Sequence, residues 1–345
     1  MYPQYGLGVV SIPRAAVRRP ISYGISTVAA VLFLTLTPVV LPLLYLTDLA
    51  TGRPRGKRAR VWLLLGTTIW FEYLGVFGAV AIWLRYLGGR TDHEGWLAAN
   101  YRLEFWWCRH HRNNLRRFAG VHITLLDDQP LHGGRSIVIS RHSSHIDAIV
   151  PLTVLEMVGR IPCYTLKQDL QWAPAMDLVG QRTHNVWIDR TPRPGSPMMT
   201  KIERLARTMP PDGSAVIFPE GTFRTKERHD RAIARLQRTK PALAERADRL
   251  RYVLPPRPAG TLALLRGAPD ADLVILANVG TEGRSDISDI IATIDEPHPI
   301  TVMATRHARS DVPEDEDEFT EWLVDRWLEM DDWIHEQLTT GAHRS

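Results

Sequence analysis

Cysteine is almost missing from this chain of 345 residues: Cys108 and Cys163 are its only two. That excludes a disulfide scaffold and a cysteine-rich zinc module, and it suits a reducing, cytosol-facing compartment. Lysine is scarce as well, five residues against 37 arginines, a bias of GC-rich, bacterial-type coding sequences. No internal repeat is visible, and no Gly-x-Ser-x-Gly elbow, which counts against a serine hydrolase. With 44% hydrophobic and 23% charged residues, disorder and collagen-like repeats are excluded. The length allows one large domain or two.

Charge is lacking over a long stretch near the N-terminus. From Pro20 to Thr47 no charged residue occurs, and Val28–Leu46 is almost wholly apolar. Roughly 20 such residues span a bilayer core. A second apolar segment, Val61–Leu84, is broken only by Glu72. No small-residue cleavage pattern follows the first segment, which argues against a signal peptide. Arg14, Arg18 and Arg19 precede it, a basic cluster from Arg53 to Arg60 separates the two segments, and Arg85 and Arg90 follow. Positive-inside bias wants all three clusters on the cytoplasmic side, which two complete spans cannot satisfy. A monotopic hairpin over residues 1–90 satisfies it, with Pro38 and Pro42 offering a place to bend.

The remaining charge is unevenly divided. Residues 1–310 hold 40 basic and 26 acidic groups, net +14, whereas residues 311–345 carry net −10. A basic body attracts nucleic acid or an anionic membrane surface. Residues 91–120 mix Trp96, Tyr101, Phe105, Trp106 and Trp107 with Arg102, Arg109, Arg112, Arg116 and Arg117. Such a helix fits the headgroup layer, or alternatively buries an aromatic face in an ordinary core. No helix-turn-helix, zinc-finger or RNA-binding aromatic motif accompanies it, so nucleic acid is not an expected partner.

From Val121 short apolar runs alternate with amphipathic ones. Strands are expected at Val121–Leu126, Ser136–Ser140, Ile161–Leu166, His184–Ile188, Ala215–Phe218, Leu273–Asn278 and Thr301–Ala304. Helices are expected at Ala148–Val158, Pro197–Thr208, Glu227–Arg251 and Thr261–Arg266. This alternation predicts an α/β domain over residues 121–310, closed by an acidic helix in 311–345.

Two segments follow strands and open chemically rich loops. The first is Arg141-His142-Ser143-Ser144-His145-Ile146-Asp147. Residues five apart lie about 140° from each other on a continuous helix. His142 and Asp147 therefore meet only if His142 ends the strand loop and Asp147 enters the helix's first turn. The carboxylate would then fix the imidazole tautomer and leave the other nitrogen as a general base. Ser144-x-x-Asp147 is also a capping box. A metal site from His142, His145 and Asp147 competes, but the second segment adds no histidine or cysteine ligand. That segment is Phe218-Pro219-Glu220-Gly221-Thr222-Phe223. In it Gly221 permits a tight turn, Thr222 supplies a hydroxyl, and Glu220 an acceptor for substrate hydroxyls.

His-x4-Asp at His142–Asp147, followed by Phe218-Pro219-Glu220-Gly221-Thr222, resembles the lysophospholipid acyltransferase family over roughly residues 100–338. Val186-Trp187-Ile188-Asp189-Arg190 is similar to the family strand ending in Asp-Arg, which implies acceptor-phosphate binding by Arg190. Lys167 falls where the family carries a lysine. Lys226–Arg251, Leu254-Pro255-Pro256-Arg257 and the acidic ending resemble the longer, eukaryote-type branch, which adds Arg257 to the substrate-binding residues. Arg141 replaces the usual asparagine, Phe223 the usual arginine after Gly-Thr, and Asp177 a common glycine. The resemblance implies a mixed-sheet acyltransferase domain behind a hydrophobic membrane hairpin. It also implies transfer of a fatty acyl group from acyl-CoA or acyl-ACP to a lysophospholipid, 1-acylglycerol-3-phosphate foremost. No cofactor is implied, and the site would sit at the cytoplasmic face of a membrane, the plasma membrane in a bacterium. A phospholipid–lysophospholipid transacylase and a non-catalytic membrane scaffold are the alternatives.

Overall fold

The structure, a computed structural model, describes residues 13–52, 56–142, 144, 147, 149–188, 197–282 and 291–341. Among them, seven strands form one mixed sheet: β1 (Val121–Leu125), β2 (Ser136–Ser140), β3 (Ile161–Lys167), β4 (Val186–Ile188), β5 (Gly213–Ile217), β6 (Asp272–Val279) and β7 (His298–His307). Their order is β1-β7-β6-β2-β5-β3-β4. Neighbours are parallel except β6 and β7. Every position of β2 and β5 is buried, as expected of apolar strands covered on both faces.

All seven expected strands form, β2 at its expected bounds and the other six with shifted ends. β7 is longer than expected because it pairs with β1 through His298–Val302 and with β6 through Thr301–His307. The parallel strands β6, β2, β5, β3 and β4 present their carboxyl ends along one edge. In open α/β sheets that edge is where ligand crevices form.

The helices are α1 (Ala15–Ala50), α2 (Lys57–Leu87), α3 (His93–Ala119), α4 (Val150–Met157), α5 (Pro174–Gly180), α6 (Met198–Thr208), α7 (Lys226–Thr239), α8 (Pro241–Ala247), α9 (Pro258–Gly267) and α10 (Glu316–Thr340). The expected helix Glu227–Arg251 divides in two, because Pro241 supplies no N–H and Lys240 leaves helical backbone geometry. Under α6–α10, one face of the sheet buries Ile137, Ile139, Leu273, Phe319 and Trp327. The other face, under α4, buries Val138, Val150, Val154 and Leu276, joined by Leu64 of α2. Gly120 ends α3 with φ +66°, and a side chain there would meet the Glu296 carbonyl at 2.5 Å. Glycine is therefore required where α3 turns into β1.

The acidic ending docks on the basic body. Asp317 pairs with Lys240, Asp325 with Arg246, and Asp331 with Arg251. Exposed pairs of this kind contribute about 0–1 kcal/mol each. Asp331 is different: it is buried and accepts the Arg251 and Tyr252 backbone N–H groups at 2.9 and 2.6 Å.

α1 and α2 form an antiparallel hairpin, with Trp62 Nε1 donating to Thr37 Oγ1 at 2.9 Å. Both are long and apolar enough to cross a membrane. Helix α1 is continuous through Pro20, Pro38 and Pro42. Asp48 caps α2 instead of facing solvent, accepting the backbone N–H of Arg58 at 2.8 Å and of Ala59 at 3.2 Å. α2 lies between α1 and α3 and also meets α5. α1 is outermost, with Val28 60%, Val39 62% and Leu46 61% exposed.

Candidate active site

His142 stands two residues beyond β2, at the middle of the sheet's carboxyl edge. Its side chain is buried, with the ring between Phe218 and Phe223 at centroid distances of 4.6 and 4.4 Å. On one side of β2 lies β5, which runs into the Phe218–Thr222 turn. On the other lies β6, ending in Asn278 and Val279.

Glu220 ties these loops together. One carboxylate oxygen accepts the His142 backbone N–H at 2.8 Å, and the other accepts the Leu254 N–H at 2.8 Å. The group is 1% exposed. Burial pushes its carboxyl up to about 8, against the opposing pull of those two N–H groups and of Arg141. The sequence reading offered Glu220 to substrate hydroxyls. Burial and two backbone bonds make it instead a brace between the His142 strand end and the Leu254–Arg257 stretch. Gly221, at φ +71°, turns the chain tightly. That turn leaves the Arg257 guanidinium at 3.5 Å from where a side chain would begin, and Arg257 N–H closes on the Pro219 carbonyl at 2.9 Å. Arg257 is exposed and Thr222 half-buried.

Asp147 is fully buried. Its Oδ2 accepts the Ser144 backbone N–H at 2.7 Å, the carboxylate half of a capping box. Its Oδ1 accepts from Asn278 Nδ2 at 2.8 Å. A carboxylate can accept from several donors at once, at about four lone-pair sites.

Lys167 ends β3, two strands from β2, or about 10 Å across the sheet. It is half-buried and pairs with Asp169. Ile188 is in register with Lys167; Arg190, with Asp189, lies outside the described residues, as does His145. Among the described residues no group of three or more His, Cys, Asp or Glu is placed to hold a metal ion.

The family model described as Acyltransferase matches residues 110–257, from α3 through the His142 and Glu220 loops to Arg257. A second, Acyltransferase C-terminus, matches residues 294–344. The chain belongs to the acyltransferase family that these two models describe. A solved structure, the 1-acyl-sn-glycerophosphate (LPA) acyltransferase PlsC from Thermotoga maritima, aligns with 77% of this chain and 96% of its own at 13% identity and a TM-score of 0.44. Comparison with curated proteins returns no match.

In this acyltransferase, two departures from the family pattern acquire physical roles. Arg141, where asparagine is usual, is 1% exposed and clamps three segments. It donates to the Asn278 carbonyl, to Glu282 Oε1 at 2.6 Å, and to the Tyr252 carbonyl at 3.4 Å. Asp177, where glycine is common, is fully buried and accepts from Arg18 at 2.7 Å and Arg19 at 2.8 Å, joining α1 to α5. Asn278 is a site residue that sequence reasoning missed. A single polar residue near the end of an apolar strand was the available signal.

Proposed function

We propose that this acyltransferase moves a fatty acyl group from an acyl thioester, acyl-CoA or acyl-ACP, to the free hydroxyl of a lysophospholipid, with 1-acylglycerol-3-phosphate the leading acceptor. His142 takes the hydroxyl proton as the oxygen bonds to the thioester carbonyl carbon. The C–S bond then breaks, and the departing thiolate receives that proton from His142. Asp147 orients the imidazole and stabilises its charged form. Arg190 and Lys167 hold the acceptor phosphate, Arg190 through two parallel charge-assisted bonds. Gly221, Thr222 and Arg257 border the substrate from the other loop. The observation that carries this reading is Glu220, which joins the backbones of His142 and Leu254. Through it, two motifs 78 residues apart in sequence form one wall beside a buried imidazole.

The hairpin supports a membrane-borne, in-plane reading of the site at the cytoplasmic face. Lys57 reaches the Ala292 carbonyl and Asp295, and the Ala79 carbonyl accepts from Arg182 at 2.7 Å. Those points are about 33 Å apart along α2, as long as a bilayer core is thick. A spanning α2 would carry its contacts with the α/β domain through the hydrocarbon. A hairpin lying along the surface keeps them, and turns the apolar face of α1 toward lipid.

The test is purified full-length protein with acyl-CoA and a panel of lysophospholipids, read by mass spectrometry. Acylated product from the thioester, greatest with 1-acylglycerol-3-phosphate, is the expected outcome. Product formed only when a diacyl phospholipid is the donor would establish a transacylase. No product from either donor would favour a scaffold.

A further inference from the structure

Asn278 lies at the far end of β6, after the apolar run Leu273–Ala277, and is fully buried. Its side-chain NH2 donates to Asp147 Oδ1 at 2.8 Å and to Thr281 Oγ1 at 3.3 Å. Its Oδ1 is buried and meets no donor among the described residues. An unsatisfied buried acceptor destabilises a fold, and an apolar side chain of similar shape would avoid that loss. The amide at this position therefore carries a cost at one of its two ends. The end that is satisfied points at the carboxylate.

The backbone around Asn278 is held as firmly. Its carbonyl accepts from Arg141 Nη1, and the Arg141 backbone N–H bonds the Leu276 carbonyl at 3.2 Å. Arg141 immediately precedes His142, so β6 and the histidine's own strand end are locked in register. Gly280 N–H, two residues on, donates to Glu282 Oε2 at 2.8 Å, the acid that also takes Arg141. An amide NH2 can only donate, so it fixes which way an acceptor carboxylate beside it faces.

We infer that Asn278 is a positioning residue of the reaction, its side-chain amide holding the Asp147 carboxylate aimed so that Asp147 can orient His142. This rests on the roles of His142 and Asp147 proposed above. Asn278 touches no substrate; it acts through Asp147.

The experiment uses full-length enzyme in detergent or lipid vesicles, with Asn278→Leu, Asn278→Asp and, in parallel, His142→Ala. Asn278→Leu should lower kcat about tenfold to a hundredfold, the range for residues that orient a ligand or base from behind, with KM for both substrates within about threefold. Asn278→Asp supplies a sharper readout. Two facing carboxyls share a proton at raised pKa, and the protonated one can donate to Asp147 as the amide did. This variant should lose kcat as pH rises through the titration of that shared proton, a high-pH loss absent from the parent, while His142 must be deprotonated in both. A merely structural role leaves the pH profile unchanged. A kcat within threefold of the parent for Asn278→Leu would overturn the inference. So would a loss fully explained by the unfolded fraction at assay temperature, or a parental pH profile in Asn278→Asp. Full activity in His142→Ala would instead bring down the underlying proposal. An inactive His142→Ala beside unaffected Asn278 variants removes the inference alone.

Discussion

At the carboxyl edge of the sheet, the buried carboxylates Asp147 and Glu220 meet N–H groups: Ser144 and Asn278 for one, His142 and Leu254 for the other. Around the N-terminal hairpin, Asp177 of α5 takes the guanidinium groups of Arg18 and Arg19, and Asp48 takes that of Arg58 together with the Arg58 and Ala59 backbone N–H groups. Amide donors belong to strand ends and short loops that the sheet already holds. Bonds to them fix a carboxylate without adding a mobile charged arm beside the reacting groups. Arginine side chains are long, and they can reach from one packed layer to the next. The site therefore uses carboxylates to set atom positions, whereas the hairpin uses them to dock one layer on another.

Three substitutions probe that contrast. The largest effect is expected at His142. His142→Ala should lower turnover by roughly 10²–10⁴ while folding and membrane binding persist; turnover within threefold of the parent would remove the histidine from the chemistry. Asp177→Asn comes next. It leaves Arg18, 3% exposed, without its anionic partner, and removing one member of a buried pair costs about 3–5 kcal/mol. The melting temperature should fall and α1 should become open to limited proteolysis. Unchanged protease protection would mean that lipid, and not Asp177, holds α1 in place.

The smallest effect is expected from Glu220→Gln, and it should depend on pH. Burial places the Glu220 carboxyl at about 8, above its ordinary 4.5. The folded chain thus holds this proton more tightly than the unfolded chain. The group's contribution to stability is fully present below about pH 4.5 and is lost as pH rises through about 8. Parent protein should lose melting temperature more steeply than Glu220→Gln over that window. Parallel slopes would show that the brace does not titrate there.

The two regions also differ in how far the sequence discloses them. His142 and Glu220 are legible because each follows a continuous apolar run, which marks a strand buried on both faces, and opens a loop of polar residues. The hairpin is legible because charge is missing for longer than a soluble core helix needs. Asn278 is hidden: it is 131 residues from Asp147, and nothing local distinguishes it from any polar strand end. Asp177 reads as a departure from the family pattern until Arg18, 159 residues away, is seen beside it.

By itself, then, the sequence determines the strands, the apolar hairpin segments and the two loops that bear the chemistry, since periodicity, turn residues and motif spacing are local properties. Only the tertiary structure decides that Glu220 braces backbone, that Arg141 and Asn278 stand behind Asp147, and that α2 lies along the domain. Those outcomes depend on which strands become neighbours. Strand order joins residues by burial and by hydrogen-bond demand across the whole fold, a constraint that no short window of sequence contains.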